Sequence, residues 1–246
     1  MDRMLYIAMT GAREIMNSQA VNTNNLANAS TTGFRADLEA FTSTPVWGDG
    51  HPDRAYATVE GMGVDLSGGS IQTTGRDLDV AIKGDGWIAV QAPDGSEAYT
   101  RAGDLRVDSF GILTTGAGYP VIGEGGPIAV PPNGKLEIGQ DGTITVQPLG
   151  QDINALAVVD RIKLVKPSPN ALKKGEEGLM QLRGGGLAEA DASVTLVSGA
   201  LESSNVSTVD SMVRMIELAR QFEMQVKMMK TAEDNDRSAA KLMSMS

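Results

Sequence analysis

Apolar positions recur at helical spacing only near the two ends of the chain. Over roughly residues 3–28, Leu5, Met9, Ala12 and Met16 follow a 4-3-4 spacing, the a/d seam of a helix that lies on another helix. The seam turns polar at Gln19 and Thr23 and apolar again at Leu26. At the other end, Met212, Met215, Ala219, Phe222, Val226 and Met229 follow a 3-4-3-4-3 spacing. Ser207 and Asp210 supply a capping-box pattern for the start of that helix. A helix over 208–242 is about 50 Å long, too long to be covered by the first helix alone. One face of it is therefore expected to be left for something else.

Between the ends the pattern changes. All ten prolines lie from Pro45 to Pro169, and no glycine follows Gly199. Asp85-Gly86, Asp94-Gly95, Asn133-Gly134 and Asp141-Gly142 are hairpin or tight-turn signals. Short strand-like runs lie among them: LDVAI (78–82), WIAVQ (87–91), ITV (144–146) and RIKLV (161–165). The chain is expected to be mixed α and β, with N- and C-terminal helices pairing as a coiled-coil-like segment and an inserted, mainly antiparallel β domain. The expected divisions are 1–34 for the first helix, 35–75 for an extended connector, 76–200 for the β domain and 201–246 for the last helix.

Composition narrows the chemistry. At 246 residues, with a formal net charge of -10 and no basic stripe, the chain is not expected to bind nucleic acid or dock on an anionic membrane. There is no cysteine, so disulfides and thiolate metal sites are excluded. No apolar run is long enough to insert in a membrane, and no charged-then-apolar leader opens the sequence. Work outside the cytoplasm would then require a route without a Sec-type signal.

No catalytic constellation emerges. His51 is the only histidine, in the loop-like run GDGHPD, and a triad or histidine metal site would need it. Gly84 and Gly86 lack the third glycine of a dinucleotide fingerprint, since position 89 is alanine. Asp77 and Asp79 suit a turn or a salt bridge, and EDND (233–236) suits a solvated helix face. Catalytic, cofactor-binding and metal residues are all expected to be absent, and the protein is not expected to be an enzyme. An enzyme, a monomeric binding module and a polymerising subunit remain the readings to compare.

Methionine and asparagine favour the last. Four methionines lie in 1–16 and seven in 212–245, leaving two elsewhere. Methionine adapts to irregular contacts, which suits either an ordinary core between two helices or a surface that fits several neighbours. Asn22, Asn25 and Asn28 recur along one side of the first helix. A buried amide without a partner costs about 1–3 kcal/mol, so such a seam specifies register at some cost in stability. Gly33 is expected to supply a helix-end or turn conformation, and Phe34 to anchor the exit.

The residues also carry a family resemblance. SQAVNTNNLANASTTGFRADLEAF (18–41) resembles the rod-protein signature of the bacterial flagellar basal body, and LESSNVSTVDSMVRMIELARQFEMQVKMMKTAEDND (201–236) resembles its C-terminal counterpart. GRDLDVAIKGDGWIAVQ (75–91), YTRAGDLRVDSFGILTTGAGYPVIG (99–123) and GPIAVP (126–131) are similar to the β domain of the longer rod proteins and the hook. The resemblance implies a structural subunit of the rod that polymerises through its terminal helices into a hollow, torque-transmitting shaft. ARQFEMQVKMMKTAEDND is similar to the proximal-rod type, and Ala219 stands where distal-rod members more often have glutamine, leaving a distal-rod or hook-type subunit as the alternative. Implied partners are copies of the chain, other rod subunits and the flagellar type III export apparatus, with a periplasmic location in the basal body. The interface residues expected are Leu5, Met9, Ala12, Met16, Asn22, Asn25, Leu26, Asn28, Phe34, Met212, Met215, Ala219, Phe222, Val226 and Met229. Phe34 and Leu38 in FRADL resemble a short hydrophobic export signal, or else Phe34 only packs.

Overall fold

The computed structural model describes residues 4–45, 55–148, 157–175 and 177–244. His51 lies outside them. The described chain divides into two compact units, one formed by residues 1–28, 37–63 and 206–246, the other by 29–36 and 64–205.

The first unit holds helix α1 (Met4–Ala27), strands β1 (Asp37–Pro45) and β2 (Ala55–Val64), and, at the far end of the chain, the long helix α2 (Thr208–Ser244). The two helices pack together, as their apolar spacing requires. Ser207 caps α2: its Oγ accepts the Asp210 N–H at 3.3 Å. β1 and β2 pair as a two-stranded sheet, with the Thr42 and Thr58 hydroxyls 3.0 Å apart. The stretch expected as a connector therefore carries strands of its own. Its Gly, Thr and Ser content hid them, because the alternation that marks a half-buried strand is weak where β1 is mostly exposed.

The second unit holds β3 (Ile71–Thr73), β4 (Val80–Lys83), β5 (Trp87–Gln91), β6 (Glu97–Thr100), β7 (Arg106–Val107), β8 (Leu113–Thr114), β9 (Asn133–Ile138), β10 (Thr143–Pro148), β11 (Ala157–Arg161), β12 (Leu164–Val165), β13 (Leu172–Lys174), β14 (Met180–Leu182), β15 (Thr195–Ser198) and β16 (Ala200–Glu202). Its largest sheet runs β12-β5-β6-β14-β13, antiparallel throughout. β11-β10-β9 form a second antiparallel sheet, and β4 pairs β15 as β3 pairs β16. Strand β5 is apolar from Trp87 to Val90 because both its faces are covered. Ile88 and Val90 enter the main core with Leu113, Val121, Ile128 and Ile144. Trp87 and Ala89, pointing the other way, enter a second cluster with Tyr99, Val165 and Met180.

The turn signals do not all behave alike. Asp94-Gly95 and Asp141-Gly142 turn the chain between β5 and β6 and between β9 and β10, each glycine at positive φ. Asn133-Gly134 instead opens β9, with Asn133 opposite Pro148 across a bulge. There the pairing with β10 overrides the local turn preference. RIKLV is likewise divided: β11 ends at Arg161 and β12 begins at Leu164.

Candidate assembly surface

The seam between α1 and α2 has mostly small side chains on α1 and larger ones on α2. Ala8, Ala12, Ile15, Ser18 and Asn22 are buried on α1, as is Glu14, which Arg13 and Asn17 hold. On α2, Ser211, Leu218 and Ala232 are buried, with Met215, Phe222, Gln225 and Met229 half-buried between them. A Cβ added to Gly11 would stand 3.2 Å from the Gln225 side chain, so the helices approach closely here. Near the other end of α1, the Asn22 amide donates to the Ser211 carbonyl at 2.8 Å. Contacts 11–225 and 22–211 run in opposite directions, so the pair is antiparallel.

This seam is not the stripe that spacing alone suggested. Ala12 lies on it, but Leu5, Met9 and Met16 are exposed, Met9 and Met16 by more than half. On α2, Met215, Phe222 and Met229 border it, whereas Met212, Ala219 and Val226 are exposed. Each exposed residue follows a seam residue: Met9 after Ala8, Met16 after Ile15, Met212 after Ser211, Ala219 after Leu218, Val226 after Gln225. One residue is about 100° around a helix. Both stripes are thus rotated from the seam in the same sense, and in an antiparallel pair that brings them to the same side. Met9 and Met16 of α1 and Met212 and Val226 of α2 share one outward face, to which Val209 and Ile216 add. The physical reason for the switch is the small column Ala8, Gly11, Ala12, which lets the backbones come close and multiplies their dispersion contacts.

The amides that follow are satisfied, each in its own way. Asn22 reaches across to α2. Asn25 exchanges two hydrogen bonds with the Asp37 backbone, donating to its carbonyl at 3.0 Å and accepting its N–H at 2.9 Å, so the side chain imitates a paired strand. The Asn28 side chain and backbone N–H both donate to the Asn24 carbonyl and close the helix end. Leu26 is half-buried beside them.

Beyond the helix end, within the second unit, Gly33 and Arg35 meet a buried carboxylate. The Gly33 N–H donates to the Glu202 carbonyl at 2.8 Å. Gly33 has φ 67, and a Cβ there would lie 2.3 Å from the Arg101 carbonyl carbon, so only glycine fits. Glu202 takes Arg35 on one oxygen and Arg101 on the other, the second at 2.9 Å, and also accepts the Gly69 N–H at 2.9 Å. All three charged side chains are buried. Trp87 lies under both guanidinium groups, 5.9 Å from Arg35 and 5.4 Å from Arg101, within cation–π range. Burial lowers the Arg101 pKa, and the Glu202 charge opposes that shift. Phe34 is half-buried with the Lys174 ammonium 4.2 Å from its ring centroid, and the exposed Leu38 lies on β1 of the first unit.

Sequence reasoning missed this ion cluster. One signal was present: in Ala200-Leu201-Glu202 the strand alternation puts Glu202 on the inward side with Ala200. A charge facing inward must find a partner.

The second unit also has a cleft of about 650 Å³ lined by Ile122, Pro127, Leu164, Leu187, Glu97 and Lys163, among others. Within it Lys163 holds Glu97 at 2.8 Å, and Glu124, Asp141, Arg161 and Asp191 add further charge to its lining. Burial pushes the neighbouring Tyr99 phenol up to about 12. Among the described residues no group of three or more metal-ligating side chains comes together, and no helix is long and apolar enough to cross a membrane.

A β body inserted between paired terminal helices, with a large apolar face on the helices, is the architecture expected of an axial protein of the flagellum. Comparison with known proteins agrees. Residues 197–242 match the C-terminal domain family of the flagellar basal body rod FlgEFG proteins, and residues 81–146 match the D1 domain family of the flagellar hook protein FlgE/F/G. The flagellar basal-body rod protein FlgF of Escherichia coli is 45% identical over 252 residues, covering all of both chains, and that of Salmonella typhimurium is equally similar. The flagellar basal-body rod protein FlgG of Bacillus subtilis is 32% identical over 94% of this chain and 96% of its own. The chain belongs to the flagellar basal-body rod proteins, and its full-length likeness to the FlgF members is what the C-terminal motif implied.

Proposed function

We propose that this protein is a structural subunit of the proximal rod, polymerising through its terminal helices with copies of itself and with other rod subunits into a hollow drive shaft. The observation that carries the mechanism is the apolar face shared by α1 and α2. An exposed apolar face on a subunit's own helices is stabilised when a neighbour covers it, at about 25 cal/mol for each Å² of apolar area removed from water. Unlike patches on successive subunits give a helical polymer rather than a closed pair. Asn22, Asn25 and Asn28 hold the helix pair and its exit in register, and Phe34 anchors the exit. The subunit reaches the periplasm through the type III export apparatus, for which Phe34 and Leu38 supply the hydrophobic signal.

The interface is tested by a Met9→Glu, Met16→Glu variant. Both residues are exposed, so the purified variant keeps the helix content and melting temperature of the parent. In cells it is exported but absent from isolated basal bodies, and the cells do not swim. Normal incorporation and swimming would overturn the assignment of this face.

A further inference from the structure

The outward helical face carries three exposed methionines, and Met224, Met228 and Met243 are exposed at other positions of α2. The chain has no cysteine, so every two-electron oxidation of sulfur falls on methionine. Met9 and Met16 of α1 and Met212 of α2 are each more than half exposed and lie on that one face. Met180, by contrast, is 3% exposed in the β core, and Met215 and Met229 are half-buried at the seam.

We propose that Met9, Met16 and Met212 form an oxidation-sensitive control on assembly, acting on subunits not yet built into the rod. The proposal rests on the reading that a neighbouring subunit covers this face. The oxidant is a peroxide. Its O–O bond breaks, one oxygen forms a bond to the thioether sulfur, and water leaves. The sulfur loses two electrons and the peroxide gains them. The product, methionine sulfoxide, replaces a soft apolar tip with a strong dipole. On the free subunit that dipole is hydrated and costs nothing, so the hairpin keeps its fold. Against an apolar neighbour it must be stripped of water without a hydrogen-bond donor in reach. Oxidation therefore penalises the contact and not the monomer. Once a neighbour covers the face, peroxide no longer reaches the three sulfurs. Methionine sulfoxide reductase reverses the block with two electrons from a dithiol, which becomes a disulfide as the sulfoxide oxygen leaves as water.

The test has two stages. Purified chain is treated with hydrogen peroxide and mapped by peptide mass spectrometry, where Met9, Met16 and Met212 gain oxygen well before Met180. Cells carrying the parent or a Met9→Leu, Met16→Leu, Met212→Leu variant then receive a peroxide pulse while new basal bodies form, and subunit incorporation is measured in isolated basal bodies. Incorporation of the parent falls about fivefold or more, the equivalent of roughly 1 kcal/mol at the contact, while the leucine variant holds its untreated level. Equal loss in both strains, or no loss in the parent, overturns the proposal. Failure of the interface itself is read separately, by the glutamate variant assembling normally without peroxide.

Discussion

Glu202 ties together three segments of the second unit that are distant in the chain, residues 33–35, Gly69 and Arg101. It accepts from Arg35, Arg101 and the Gly69 N–H, and its carbonyl accepts from Gly33. The two arginines lose their hydration on folding, and several of their N–H groups have no acceptor. The Glu202 carboxylate, the Trp87 face and, for Arg101, the Gly84 carbonyl at 2.8 Å compensate them. Replacing that carboxylate leaves two buried like charges with no ion partner in contact and only the more distant Asp85 charge and local dipoles opposing them. Glu202→Gln is expected to lower stability by about 3–5 kcal/mol, the usual cost of removing one member of a buried ion pair. Urea unfolding followed by tryptophan fluorescence measures it. A loss below about 1 kcal/mol would mean that water reaches the cluster. This residue-scale feature was only partly legible beforehand. Gly33 and Phe34 stood out in the sequence as turn and anchor, but nothing local ties position 35 to position 202, since partners distant in the chain meet only through the fold.

Among the elements, the two helices separate into jobs that one apolar count cannot distinguish. The small column on α1 serves the intramolecular seam, and the methionine stripe about 100° away serves the outside. Leu218 and Met212 allow the two to be told apart. Leu218 is buried against α1, whereas Met212 is more than half exposed. Leu218→Ala is expected to destabilise the hairpin by about 2–5 kcal/mol, seen as a lower melting temperature of the helical signal. Met212→Ala leaves that temperature unchanged. If both changes cost the same, the seam and the outer face have been exchanged. The periodicity found both helices and their ends, because caps and 3.6-residue spacing are local properties. It could not choose the inner stripe, because closeness of approach depends on which small residues face each other across the pair.

At the scale of the whole molecule, the chain must be delivered before it can assemble, and the proposed signal lies where the first helix motif runs into the strands. Phe34 is half-buried in the second unit and Leu38 is exposed on β1. If both serve export, they act on the chain before it folds, when burial is irrelevant. A Phe34→Ala, Leu38→Ala variant is then expected to accumulate in the cytoplasm while remaining foldable when purified. Secretion at the parental level would remove the export role and leave Phe34 as a packing residue beside Lys174.

Local physics determined a good deal from the sequence alone. It set two terminal helices, a glycine- and proline-punctuated β body between them, the absence of thiol chemistry, and the amide-rich exit from α1. Those follow from propensity, period and capping, which act over a few residues. The family followed from motifs at both ends. Tertiary structure alone decided which stripe of each helix turns inward, that β1 and β2 pair, that Asn133-Gly134 opens a strand, and that Arg35, Arg101 and Glu202 share one buried site. Each of those depends on residues far apart in the chain, where the free energy of close approach, ladder pairing or charge compensation exists only once both partners are in place.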